Sequence, residues 1–194
     1  MLNGKYGLAN LYNMKSLKEF YITERSGGID KGCAMLYFNL PEMDKIHSMI
    51  DEEDIFDDED GGFGLEDEPH CTLLYGFHDD EVKGEDIVGA IKKMELPDEL
   101  ELVNASLFEN DYDVLKFDVK APNGELHEIN KMLCDNYPYS TDYPDYHPHS
   151  TICYIKRGNG KKYVEKFKDL KIKVIPHKIV YSDANRNKIE YLIK

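Results

Sequence analysis

Hydrophobic positions along this chain follow two periods, and the changes between them mark its elements. Cys33 to Leu40 is a nearly continuous apolar run, as in a buried strand. Leu100 to Phe108 and Val114 to Ala121 are strand-like and joined by the turn residues Glu109-Asn110-Asp111. Ile172 to Tyr181, interrupted at Pro176, and Ile189 to Ile193 form a closing pair around an Asp183–Asn187 turn. Helical spacing appears from Pro41 through Ile50, from Glu81 to Met94, through Leu126, Ile129 and Leu133, and from Lys161 to Leu170. A further helical face, Met14, Leu17, Phe20 and Tyr21, precedes Ser26-Gly27-Gly28. It would pack on the body or cap a cleft.

Two short strands repeat one pattern. Residues 69–75 read Pro-His-Cys-Thr-Leu-Leu-Tyr and residues 148–154 read Pro-His-Ser-Thr-Ile-Cys-Tyr. Each is entered through a proline, which cannot donate to a ladder. Strict alternation puts His70, Thr72 and Leu74 on one face and Cys71, Leu73 and Tyr75 on the other. It likewise sets His149, Thr151 and Cys153 against Ser150, Ile152 and Tyr154. Each strand therefore offers an imidazole beside a hydroxyl. If the strands face each other, two imidazoles can exchange protons with a phosphoester while two hydroxyls bind its non-bridging oxygens. This scheme needs no metal and no cofactor. Which histidine is acid and which base stays open.

The paired His-x-Thr motifs, His70-Cys71-Thr72 and His149-Ser150-Thr151, resemble those of the two-histidine (2H) phosphoesterases, which include the LigT-like 2′-5′ RNA ligases and cyclic phosphodiesterases. The resemblance covers about residues 32–194, with residues 1–31 as an extension. It implies an α+β fold, one bilobal domain of two similar halves with antiparallel sheets around a central cleft and helices outside. It implies His70, Thr72, His149 and Thr151 as catalytic residues, and action on 2′,3′-cyclic phosphates, 2′-5′ linkages or cyclic nucleotides. In look the chain is closest to phage members that destroy cyclic oligonucleotide alarm signals (anti-CBASS type).

Composition narrows the substrate. The formal net charge is −14 over 194 residues. Residues 51–68 hold eleven acidic and no basic residues, read as a solvated loop; residues 156–178 carry a local net of +7. No basic track for a long nucleic acid is evident, so the expected partner is a cyclic nucleotide or short oligonucleotide rather than duplex DNA. With 41% hydrophobic residues, 14 Tyr and 8 Phe, the chain can build a core. There is no apolar run long enough for a membrane span. Four cysteines without a C-x-x-C pattern read as small buried thiols of a reducing compartment. The expectation is a cytoplasmic monomer, in the host cytoplasm if phage-encoded.

Two groups near the second motif are candidate substrate contacts. Residues 137–148 carry four tyrosines, and Tyr143 and Tyr146 would either stack a base or fold the loop onto the body. Lys156 and Arg157, just past the second strand, would reach a phosphate at the cleft mouth or be ordinary surface charge. His147 and His149 hint at a metal, but no ligand cluster at known spacing accompanies them, and the metal expectation is none.

Overall fold

The computed structural model describes residues 31–57, 63–143 and 145–193. The helix expected over Met14–Glu24 lies outside them. In chain order the elements are β1 (Lys31–Asn39), α1 (Met43–His47), a 3₁₀ turn (Glu52–Asp54), β2 (His70–His78), α2 (Gly84–Ile91), β3 (Leu100–Glu109), β4 (Tyr112–Lys120), α3 (Glu125–Asn136), β5 (His149–Lys156), α4 (Lys161–Phe167), β6 (Ile172–Ser182) and β7 (Lys188–Leu192). Every strand expected from the hydrophobic pattern is present, and Pro176 sits inside β6 rather than ending it.

The sheet runs β2-β1-β6-β3-β4-β5, with β7 added on β6, and all pairings are antiparallel. This order contains one unit written twice. The first is β1-α1-β2-α2-β3 and the second is β4-α3-β5-α4-β6. In each, the third strand crosses to the other half: β3 pairs with β4, and β6 pairs with β1. The short pairing of Leu100–Leu102 on Ile172–Val174 joins the two lobes into one sheet. β2 and β5 are at opposite ends of that order, yet they lie against each other. The sheet therefore curls until its two end strands meet, and those are the His-x-Thr strands.

The helices bury the faces their spacing foretold. Ile87 and Ile91 of α2, Leu126, Ile129 and Leu133 of α3, and Tyr163 and Phe167 of α4 join Leu36, Phe38, Leu73, Phe117 and Ile152 in one core. Each large apolar side chain sequestered this way stabilises the fold by about 1.5–3 kcal/mol. Gly124, at φ 83, supplies the left-handed residue that starts α3. Next to it the Glu125 carboxylate accepts the Asn123 backbone N–H at 2.9 Å. All four cysteines are free thiols; Cys33, Cys71 and Cys153 are buried and Cys134 is half-buried. No helix among the described residues is long and apolar enough to cross a membrane.

The acidic stretch departs in part from its expected role, and the basic one forms ion pairs at the surface. The acidic segment is not wholly a solvated loop. Asp54 is buried, its carboxylate accepting from Tyr163 Oη at 2.6 Å and Asn159 Nδ2 at 2.7 Å, with Lys162 Nζ at 2.5 Å. The basic stretch is largely paired within the protein. Lys161 meets Glu109 at 3.1 Å, Lys162 meets Asp51 at 2.8 Å, Lys173 meets Glu99 at 2.7 Å, and Lys168 meets Glu165. Its formal excess is thus less than a free phosphate-binding surface.

Candidate active site

Each His-x-Thr strand starts at its histidine, and the two starts are built alike. Pro69 and Pro148 donate nothing, but their carbonyls accept from Phe38 N–H at 3.2 Å and Val119 N–H at 2.9 Å. These bonds fix where β2 and β5 begin on their neighbours. In both strands the imidazole Nδ1 then turns back to the carbonyl two residues upstream. His70 Nδ1 lies 2.8 Å from Glu68 O, and His149 Nδ1 lies 2.8 Å from His147 O. A carbonyl only accepts, so Nδ1 carries the proton in each ring. Nε2 takes no part in that bond, and is a lone pair when the ring is neutral or a donor when it is charged.

An aromatic ring braces each imidazole. Tyr37, directly across from His70 in the ladder, stacks on it with centroids 5.0 Å apart at 27°. Phe108 meets His149 edge-on, with centroids 5.1 Å apart at 85°. Each of those aromatic rings carries an ammonium on its face, Lys178 at 4.7 Å from Tyr37 and Lys116 at 4.6 Å from Phe108.

Strict alternation fails just past the threonines, in the same way in both strands. Thr72 pairs with Met35 but Leu74 with Ala34, so Leu73 is an extra residue. Thr151 pairs with Lys116 but Cys153 with Leu115, so Ile152 is extra. These are β-bulges. They turn both extra residues and their successors into the core, where Leu73, Leu74, Ile152 and Cys153 all reside. Tyr75 returns to the face of Met35 and Tyr37, and Tyr154 packs with Val114 beside Phe108. This corrects the expectation that Leu74 and Cys153 share the histidine face and that Tyr75 and Tyr154 oppose it. His70 with Thr72, and His149 with Thr151, keep the shared face expected of them.

The outer edges of the two strands are clasped reciprocally. The segment leading into β5 holds β2. There Ser140 N–H donates to Gly76 O at 2.9 Å, His78 N–H donates to Pro138 O at 3.2 Å, and Tyr139 bridges Phe77. The segment leading into β2 holds β5. There Phe56 N–H donates to Tyr154 O at 2.9 Å, Glu66 N–H donates to Ile152 O at 2.9 Å, and Ile55 and Leu65 bridge Ile155 and Cys153. Gly76 is required at this contact. Its φ is 105, and a Cβ there would lie 2.0 Å from Ser140 O. Two side chains complete the edge of β2, Tyr146 Oη donating to Thr72 O at 3.0 Å and Asn130 Nδ2 to Leu73 O at 2.7 Å.

The secondary candidates from the sequence divide accordingly. Tyr146 is committed to the Thr72 carbonyl, with His127 edge-on to its ring at 5.3 Å. It ties the approach to His149 onto the His70 strand, which is the body-folding alternative rather than base stacking. Tyr137, bonded to Asp86 O at 3.1 Å, and Tyr139 also fold onto the body. Tyr143 is the exposed one, at 42%. Lys156 and Arg157 do not stand at the histidines. Lys156 ends β5 and Arg157 follows it, and at about 3.3 Å per residue Lys156 is carried roughly 23 Å from His149. Lys156 Nζ instead donates to Glu53 O at 2.6 Å. Sequence reasoning missed Tyr37, Phe108, Lys116, Asp118 and Lys178. A signal existed for two of them: in Val114–Val119 the polar Lys116 and Asp118 alternate with Leu115 and Phe117, and so share one face.

The two rings sit in one electrostatic field. His149 is held below the usual imidazole range, first by burial, then by the positive charge of Lys116 and the neighbouring His70; the His147 carbonyl and Asp118 pull the other way. A ring so placed is neutral at neutral pH and has Nε2 ready to accept a proton.

The family model for the 2′-5′ RNA ligase superfamily matches residues 57–174, more than half of the chain and both His-x-Thr motifs. The chain belongs to that superfamily. It is a 2H phosphoesterase of α+β fold. Among solved structures it is similar to Usb1 of Kluyveromyces marxianus, at 11% identity and TM-score 0.54 over 85% of this chain and 99% of that one. The same Usb1 solved with uridine monophosphate gives 10% identity and TM-score 0.54 over 88% and 100%. LigT of E. coli complexed with 3′-AMP gives 15% identity and TM-score 0.46 over 85% and 97%. At these identities the Usb1 likeness speaks for the fold alone. Comparison with curated protein sequences gives no match.

Proposed function

We propose that this phosphodiesterase hydrolyses a phosphodiester bond of a cyclic nucleotide or short cyclic oligonucleotide without a metal, with His149 as general base and His70 as general acid. The observation that carries the reading is the matched pair of Nδ1-to-carbonyl bonds, on the two end strands that meet, which leaves Nε2 of each ring for proton transfer. His149, kept neutral by its surroundings, takes a proton from water as the water oxygen attacks phosphorus. The bond from phosphorus to the leaving oxygen breaks, and His70 gives that oxygen its proton. Thr72 and Thr151 bind the non-bridging oxygens, where charge accumulates. The basic stretch paired off within the protein, and Lys156 distant from the histidines, favour a short substrate over a long nucleic acid. Removal of a cyclic-oligonucleotide signal, as in phage evasion of antiviral defence, is the biological setting of this reading.

A second reading is RNA end processing: opening a 2′,3′-cyclic phosphate or joining ends by the reverse chemistry. The matched family, described as the 2′-5′ RNA ligase superfamily, favours it. One experiment separates these readings from nucleotide sequestration without turnover. The protein is incubated, with and without EDTA, with cyclic di- and trinucleotides and with RNA bearing a 2′,3′-cyclic phosphate, and products are read by mass spectrometry. Linearised cyclic oligonucleotide, unchanged by chelation, is the expected result. Products from RNA ends alone would move the assignment to the second reading, and ligand retained intact would make the chain a binding protein.

A further inference from the structure

The lobes differ most at the residue paired with each threonine. Met35 lies across from Thr72, whereas Lys116 lies across from Thr151. Lys116 is 8% exposed. Its Nζ donates to Ser106 Oγ at 2.9 Å and reaches Asp118 Oδ1 only at 3.5 Å. That carboxylate is itself solvated and accepts from Asn104 Nδ2 at 3.1 Å on its other oxygen. The ammonium also lies 4.6 Å from the Phe108 centroid, over the ring that braces His149. Lys178 in the other lobe is better compensated, with Glu190 at 3.0 Å and Glu68 at 3.9 Å. A lysine this sequestered is rarely left with one long carboxylate contact, because an under-compensated buried charge is costly. The shortfall sits on the face that carries Thr151 and His149.

Resting on the phosphodiesterase reading above, we propose that Lys116 is a further catalytic residue, whose ammonium binds a non-bridging oxygen of the scissile phosphate beside Thr151. The anion supplies the counter-charge that Asp118 gives only in part. Lysine suits the task as a compact point charge with several donors. Ser106 on β3 and Asp118 on β4 hold Nζ on the face shared with Thr151 and His149, so it would meet the phosphate with little reorganisation. Its second effect is on His149, which it helps keep deprotonated in company with His70, against Asp118 and the His147 carbonyl. The mirror position in the first lobe is apolar Met35, so the phosphate is drawn toward the His149 side.

Lys116→Met, which copies the other lobe, tests this together with Lys116→Gln, which keeps a polar donor and removes only the charge. Turnover is measured on whichever diester the wild type cleaves, and inorganic phosphate binding is followed by NMR of the His149 ring. The expected result is a fall in kcat/KM of about 10²–10³-fold, the scale for one lost transition-state donor. Phosphate affinity falls about tenfold in both variants, and the acidic limb of the pH–rate profile moves upward. The melting temperature of Lys116→Met is expected to hold or rise, because an apolar side chain replaces a poorly compensated buried cation. Wild-type turnover with wild-type phosphate affinity in both variants would overturn the proposal. If no diester is cleaved at all, the phosphate titration decides alone. Binding by the wild type that both variants weaken supports Lys116 while the hydrolytic reading falls; no binding by the wild type, or equal binding by all three, overturns it.

Discussion

His70 and His149 are positioned by the same backbone device, yet the walls behind them are not alike. Both follow a proline whose carbonyl is bonded to the neighbouring strand, both return Nδ1 to a carbonyl two residues back, and both are followed by a bulge. Behind His70 stand a stacked tyrosine, a methionine, and Lys178 matched by Glu190 and Glu68. Behind His149 stand an edge-on phenylalanine, a buried lysine and a carboxylate. The duplicated backbone therefore makes the pair, and the unduplicated side chains on the adjoining strands are what would set its members apart in the proposed mechanism.

The comparison breaks most directly at the rings themselves. His70→Ala and His149→Ala are each expected to lower kcat by about 10²–10⁴-fold with circular dichroism unchanged. Normal turnover by either one would dissolve the pairing. Next come the threonines. Thr151→Val should cost about 10²-fold in kcat/KM and Thr72→Val less, because only Thr151 has a cation across the ladder. Equal losses would mean that the lobes share the phosphate evenly.

The pH dependence sharpens the same asymmetry. His149 is depressed in the folded protein, so its NMR titration should fall below the ordinary value of ~6.5. Below ~6.5 the unfolded chain binds that proton and the folded one resists it, so stability should decline as pH falls through this range toward the folded value. An upward-shifted His149 would reverse the roles. Tyr146→Phe should lower stability by about 1 kcal/mol and kcat severalfold, because the hydroxyl that links the two catalytic strands is gone. The smallest effect is expected at the far end of β5: Lys156→Ala and Arg157→Ala should leave kcat/KM within about twofold, given the roughly 23 Å of strand between Lys156 and His149.

The sequence made some of this legible and hid the rest for physical reasons. The His-x-Thr strands announced themselves by repetition, and the helices by apolar spacing such as Leu126, Ile129 and Leu133. Period-two reasoning misplaced Leu74 and Tyr75 because a bulge adds a residue without changing composition. Lys116 and Tyr37 escaped notice because their roles depend on which residue faces them in the ladder, and register is set by long-range pairing. Lys156 and Arg157 looked close to the second motif because adjacency in sequence was taken for adjacency in space, along a strand where the two diverge fastest. Asp54 was hidden inside an acidic run of which only some members stay in water.

The exchange of third strands has a consequence for how the molecule could be taken apart. A cut in the Asn110–Asp111 turn would yield a first fragment holding β1 without β6, and a second holding β4 without β3. Each fragment would expose a bare strand edge that the other fragment is shaped to cover. Neither should fold alone, while mixing the two should restore both lobes together, so the cleft would assemble all at once or not at all.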